Sequence, residues 1–231
     1  MIGLVFGMDV LTPEAEPIMS DELKEIDPTD MSVYYAMGEY YPPNSVDTLN
    51  INWQGGRVEI VAYNGTDYFV EEASTRQLME DERLTYNLEG ETFGLFFTED
   101  PQKIIDDAYK KVEIRIPQDK AKAMKGISIN TNGEVVLKNI SADKITINGK
   151  SGNVYCENTY SGATTVTTTS GKVNIAVKPE VGYSVSFSSK EGKLDSYVNN
   201  GLNSYVSGDG TFPYVVKTKT GDLGVSLFQD E

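Results

Sequence analysis

One glycine recurs through the second half of this chain at a spacing that few folds permit. Asn132-Gly133, Ser151-Gly152, Ser170-Gly171, Glu191-Gly192 and Thr220-Gly221 follow one another at steps of 19, 19, 21 and 29 residues. Two positions after each glycine stands an aliphatic residue: Val135, Val154, Val173, Leu194 and Leu223. Four after stand Leu137, Cys156, Ile175, Ser196 and Val225, and before the last four glycines come Ile145/Ile147, Thr164/Val166, Val185/Phe187 and Tyr214/Val216. Each unit therefore reads as a short alternating strand, a polar turn ending in Gly, and a second alternating strand. An earlier unit fits the same template around Gly56, with Leu49 and Ile51 before it and Val58 and Ile60 after.

A unit of 19 residues with period-two alternation buries only one row of side chains, so it must stack on its neighbours to bury them at all. Stacking sets like positions about 4.8 Å apart and makes columns of β-branched residues, which suit a sheet. The repeat glycines Gly56, Gly133, Gly152, Gly171, Gly192 and Gly221 are expected at tight turns where φ is positive or coils meet closely. Same-sense crossovers between parallel strands predict a right-handed coil. The fold class expected is all-β: a β-solenoid-like, right-handed parallel β-helix over residues 46–231, with a less regular N-terminal β region. The longer final steps predict inserted loops over 197–213, and Leu223 to Phe228 is expected to form the exposed terminal edge, with Asp230 and Glu231 guarding it against aggregation.

Between the first unit and the stack, Asp67 to Ala73, Leu84 to Leu88, Thr92 to Phe97 and Val112 to Ile116 read as strands, with a hairpin around Glu89-Gly90. Residues 101–111 suit a short helix, since Asp100 can cap it, Pro101 fits its first position and Ile104, Ile105 and Ala108 form a stripe. The charged run Glu71 to Arg83 reads as a solvated loop.

Charge separates the rest. The chain carries −15 in all, but residues 1–48 hold ten carboxylates and one base, Lys24, while the remainder carries 25 acids and 19 bases. Residues 1–45 thus read as an acidic arm or linker, too polar over 9–30 to offset its ordering entropy. Ahead of it, the apolar Met1 to Gly7 is too short to span a bilayer. It is either an ordinary tail or the outer end of a membrane anchor that begins upstream. The aromatic cluster Tyr34, Tyr35, Tyr40 and Tyr41, closed by Pro42-Pro43, is a candidate interaction surface; the plainer reading is a segment that docks over an open edge of the fold.

Composition excludes several chemistries. There is no histidine, hence no Ser-His-Asp triad, Cys-His pair or His-ligated zinc. The single cysteine, Cys156, excludes an intramolecular disulfide, and its inward register predicts a buried hydrophobe. The acidic balance speaks against nucleic acid. Residues after the repeat glycine (Glu134, Asn153, Lys172, Lys193, Asp222) change sign from unit to unit, as on a solvated turn and unlike a converged acid pair. Asp209 alone is far short of a Ca²⁺ site. Thr164 to Thr169 is read as an outward, β-forming face. No catalytic residue, metal site or cofactor is expected.

The ordered set Leu49-Asn-Ile51, Gly56-Arg-Val58-Glu-Ile60, Val112-Glu-Ile114-Arg-Ile116-Pro117, Ile145-Thr-Ile147, Ser151-Gly152-Asn-Val154, Val166, Ser170-Gly171-Lys-Val173-Asn-Ile175 and Thr220-Gly221-Asp-Leu223 resembles the bacterial DUF4097 family of adhesin-like, β-strand-repeat envelope proteins. The resemblance covers about residues 46–231. It implies a β-solenoid-like stack, commonly tethered outside the membrane of Gram-positive bacteria by an N-terminal helix, with some members linked to envelope stress. It carries no catalytic residues across. The function so implied is a non-enzymatic, extracytoplasmic module that presents a repetitive face to a cell-envelope polymer or protein, as a monomer or weakly self-associating. Two alternatives remain beside it: a polysaccharide-acting β-helix enzyme, and a self-assembling structural protein or sensor partner.

Overall fold

The computed structural model describes residues 34–105, 108–198 and 202–228. Most of the acidic arm, Met1 to Gly7, Asp106-Asp107 and the terminal Asp230-Glu231 lie outside the described residues. The described chain is all-β, and its strands lie in two open nine-stranded sheets.

Strands alternate between the sheets along most of the chain. The first sheet holds β1 (Tyr35–Tyr40), β3 (Arg57–Tyr63), β4 (Phe69–Ser74), β7 (Lys110–Pro117), β9 (Glu134–Lys138), β11 (Val154–Glu157), β13 (Val173–Val177), β15 (Leu194–Ser196) and β18 (Leu223–Leu227). The second holds β2 (Thr48–Trp53), β5 (Thr85–Glu89), β6 (Thr92–Phe96), β8 (Met124–Thr131), β10 (Ser141–Gly149), β12 (Tyr160–Thr167), β14 (Tyr183–Ser188), β16 (Ser204–Ser207) and β17 (Phe212–Lys217). A single turn of helix, α1 (Gln118–Ala121), links β7 to β8.

The columns read from the repeat are paired residue for residue. Across the first sheet, Val112, Val58, Val135, Val154, Val173, Leu223 and Leu194 stand in one parallel register. Across the second, Leu95, Ile51, Ile129, Ile147, Val166, Val216 and Phe187 do the same. Both columns face one shared core, in which all but Leu194 are buried. Each aliphatic side chain so placed contributes about 1.5–3 kcal/mol on removal from water.

The order of the layers departs from the order of the chain. β17 and β18, the last unit in sequence, lie between β12/β13 and β14/β15. Leu223 to Leu227 is therefore an interior strand and not the terminal edge. The same inversion occurs at the other end, where β2/β3 lie inside β6/β7. The outermost positions go to antiparallel strands: β1 on β4 and β4 on β7, β5 on β6, and β16 on β14. β15 alone ends a sheet in parallel pairing, over three residues. Antiparallel strands thus flank a stack that parallel crossovers extend.

Three local expectations are corrected. The described residues of 101–111 do not form a helix: Pro101 and Gln102 make a turn, with Gln102 N donating to Asp100 Oδ1 at 2.9 Å, and β7 begins at Lys110. Pairing of Lys110 and Lys111 in β7 takes the residues a third helical turn would need. The insertion 197–213 is not all loop, because Ser204–Ser207 pairs with β14 and Phe212 opens β17. Finally, Glu71 to Arg83 is only partly solvated. Its first four residues complete β4, and Glu72 and Glu82 are buried against cations.

A groove floored by aromatic rings and lined by amides

The repeat glycines build the corner where each layer turns from one sheet to the other. A Cβ placed on Gly152 would run into the backbone of Gly133 and Glu134, and one on Gly133 into Gly56. The contacts continue in order from Lys110 through Gly56, Gly133, Gly152, Gly171 and Gly221 to Gly192, which is the spatial order of the layers. Gly56 adds a positive φ of 80°. Hydroxyls secure these turns: Gly133 N donates to Thr131 Oγ1 at 2.9 Å and Gly192 N to Ser189 Oγ at 2.8 Å. At the opposite corner Asn139 and Asn158 take left-handed φ values of 59° and 46°, with Asn158 Nδ2 donating to Asn139 Oδ1 at 2.6 Å.

On the glycine side, Thr98 and Pro101 from the start of the β6–β7 connection help wall a groove of about 400 Å³. Trp53 and Phe97 form its floor, edge to face with centroids 4.9 Å apart. Its side is a row of side chains in parallel register: Phe96, Asn52, Asn130 and Asn148. Asn148 Nδ2 donates to Asn130 Oδ1 at 3.0 Å, and Asn130 Nδ2 to Asn52 Oδ1 at 3.1 Å. Gln54 Nε2 donates to the Pro101 carbonyl at 3.0 Å and separates this groove from a second, of about 420 Å³, that runs past Ile104 and Tyr109. No described residue lining the first groove is an acid, and Lys150 is the cation among them.

Beneath the floor lies a buried ion pair. Lys110 Nζ meets Glu72 Oε1 at 2.8 Å with both side chains fully inaccessible. It also donates to the carbonyl oxygens of Glu82 and Phe97 and sits 4.1 Å from the Phe97 ring centroid. Desolvation pulls the Lys110 pKa down, and Glu72 opposes that pull. Arg76 clamps Glu82 with two hydrogen bonds of 2.7 and 2.8 Å and, as the largest cause, holds its carboxyl down at about 2.

The other candidates raised by the sequence are dispersed. Tyr34 packs edge-on against Tyr109, Tyr40 against Tyr86 and Tyr41 against Phe69, while Tyr35 is 59% exposed on the outer strand β1. The four rings thus line an edge without converging on one cleft. Cys156 is buried between Leu137 and Ile175, and burial pushes its thiol up to about 12. The Thr run splits by strand periodicity: Thr164 and Thr168 are buried and hydrogen-bonded, whereas Thr165 and Thr167 are on the outer side. Among the described residues no group of three or more Cys, Asp or Glu is placed to hold a metal ion, and no helix is long and apolar enough to cross a membrane. Sequence reasoning misses the asparagines of the groove. Their signal is present, since Asn130 and Asn148 stand three and four residues before a repeat glycine and Asn52 four before Gly56, but only strand register sets them side by side.

Comparison with known proteins gives the fold a family. A crystal structure of a "putative cell adhesion protein" from Clostridium sporogenes superposes with a TM-score of 0.64 at 11% identity, covering 82% of this chain and 99% of that one. A "putative adhesin" from Bacteroides fragilis matches at 12% identity with a TM-score of 0.40, covering 83% of this chain and 96% of that one. No curated protein matches. The sequence profile of the Toastrack DUF4097 family spans residues 40–226, which takes in every strand after β1 but for Leu227 at the end of β18, and the chain belongs to that family.

Proposed function

We propose that this chain is a non-catalytic binding module of the bacterial cell envelope, working outside the cytoplasm. In this reading its layers wind as a right-handed β-solenoid, and the acidic segment ahead of residue 46 is a spacer between the solenoid and an N-terminal membrane anchor. The observation that carries the proposal is the groove at the glycine corner. It repeats one chemistry, an uncharged amide, at the same register in successive layers. Such a row recognises an extended partner and has nothing with which to cleave it, because general acid-base hydrolysis needs two carboxylates across a cleft. The adhesin-like descriptions of structurally similar proteins are in keeping with this reading. The acidic charge of the chain adds a bias against polyanions.

The test is co-sedimentation of the purified chain with isolated Gram-positive envelope material, with cell walls and membranes assayed separately. The chain is expected in the wall pellet in a saturable manner. A chain that stays in the supernatant with both fractions would overturn the proposal.

A further inference from the structure

Resting on that reading, we infer that the groove at the Trp53–Phe97 floor is a binding site for an uncharged, unbranched glycan lying along the stack, across the strands. Four observations converge. The volume of about 400 Å³ lies in the range of sites that hold a small ligand or a few residues of a chain. The rim offers apolar ring surface from the half-buried Phe96, against which the C–H face of a sugar packs, above the buried Trp53 and Phe97. The wall offers amides. Each carries donors and an acceptor on one group, as a sugar hydroxyl does, and the ladder bonds leave every amide a further N–H and a further lone pair. Last, Trp53 Nε1 is buried with no hydrogen-bond partner among the described residues, an unmet donor in the floor of the site.

The same geometry discriminates against other extended ligands. A peptide that adds as a strand needs an unpaired sheet edge. Here Asn52, Asn130 and Asn148 belong to strands already paired on both sides, so the groove presents side chains and no free ladder. A polyanion would find Lys150 alone among the described lining residues of a strongly acidic protein.

Affinity electrophoresis tests the site directly. The full chain is run through native gels containing soluble linear β-1,4-glucan, linear β-1,3-glucan, linear α-1,4-glucan or, as the polyanion arm, dextran sulfate. Retardation by at least one neutral polysaccharide is expected. Asn130→Ala and Asn148→Ala, both at exposed positions, are each expected to weaken it by about tenfold. Thr165→Ala, on the same sheet but outside the groove, is expected to leave it unchanged. Retardation by no neutral glycan, retardation by dextran sulfate alone, or equal retardation of wild type and both Asn variants would overturn the assignment. Capture of extended peptides in place of glycans would do so too. If Asn130→Ala still sediments with cell walls as wild type does, the envelope-binding proposal stands and the groove assignment falls.

Discussion

The first layer of the stack, β6/β7, and the layers that follow it solve one corner in two ways. In the later layers the corner residue is glycine, because a Cβ there would enter the backbone of the preceding layer. In the first layer the equivalent residue is Lys110, two before Val112 and four before Ile114. No parallel layer precedes β7; its other neighbour is the antiparallel β4, in which Ser74 stands opposite Lys110. The corner therefore has room for a side chain, and this one runs inward to Glu72. The glycine requirement belongs to stacking and not to the turn alone. The end of the stack exchanges that steric constraint for an electrostatic one.

Breaking the electrostatic end should have the largest effect. Lys110→Met takes the close cation from the buried Glu72 carboxylate, leaving it Arg83 at 3.9 Å, and is expected to cost about 3–5 kcal/mol of unfolding free energy. Lys110→Met with Glu72→Leu removes both charges and should recover most of that loss, as measured by urea denaturation. If the double variant is no more stable than the single one, the pair is not what holds the end.

The steric rule is sharpened by comparing two glycines. Gly152→Ala forces a Cβ against backbone that cannot swing aside and should cost about 3 kcal/mol or more. Gly55→Ala meets nothing within 4 Å and should stay within about 0.5 kcal/mol of wild type. Comparable losses at both positions would mean that turn conformation, and not layer contact, selects glycine.

The smallest effect concerns acid. Arg76 holds the Glu82 pKa at about 2, below the ordinary value of 4.5. A depressed carboxyl stabilises the folded state above its unfolded pKa, and that contribution is lost as pH falls through the folded one. Wild type should thus lose stability between about pH 4.5 and 2 more steeply than Glu82→Gln, followed by thermal midpoints. Parallel curves would detach this clamp from the acid response.

Much of the fold was legible because the repeat writes the same physical demand many times. Two alternating strands and a glycine at fixed offsets gave the β2/β3 unit at Gly56 and every layer from β8 to β13 with the correct register. The layer of β6 and β7 carried half of that signal, since Val112 and Ile114 occupy the aliphatic slots while the glycine slot holds Lys110. The 101–111 stripe failed for a different reason: at its end Lys110 and Lys111 are claimed by long-range strand pairing, which overrides local helix preference. Glu71 to Arg83 read as solvent-facing because charge is ordinarily left in water. Glu72 and Glu82 escape that rule because Lys110 and Arg76, 38 and 6 residues away in the chain, neutralise them. The groove was hidden in the same way, because an asparagine one layer from the next looks like any polar strand residue until register makes a ladder.

The sequence by itself determined the all-β class, the unit of the repeat and which side chain of each unit faces the core, since alternation and steric fit at a glycine are local properties. Tertiary structure alone decided the order of the layers. Identical units offer nearly identical faces, so nothing in a unit says which neighbour it must have. That choice fell to what differs between them: antiparallel strands β1/β4, β5 and β16 that sit at the outside, and one buried lysine that fits only where no parallel layer precedes it. The last strand of the chain consequently lies inside the sheet, flanked by parallel neighbours on both sides.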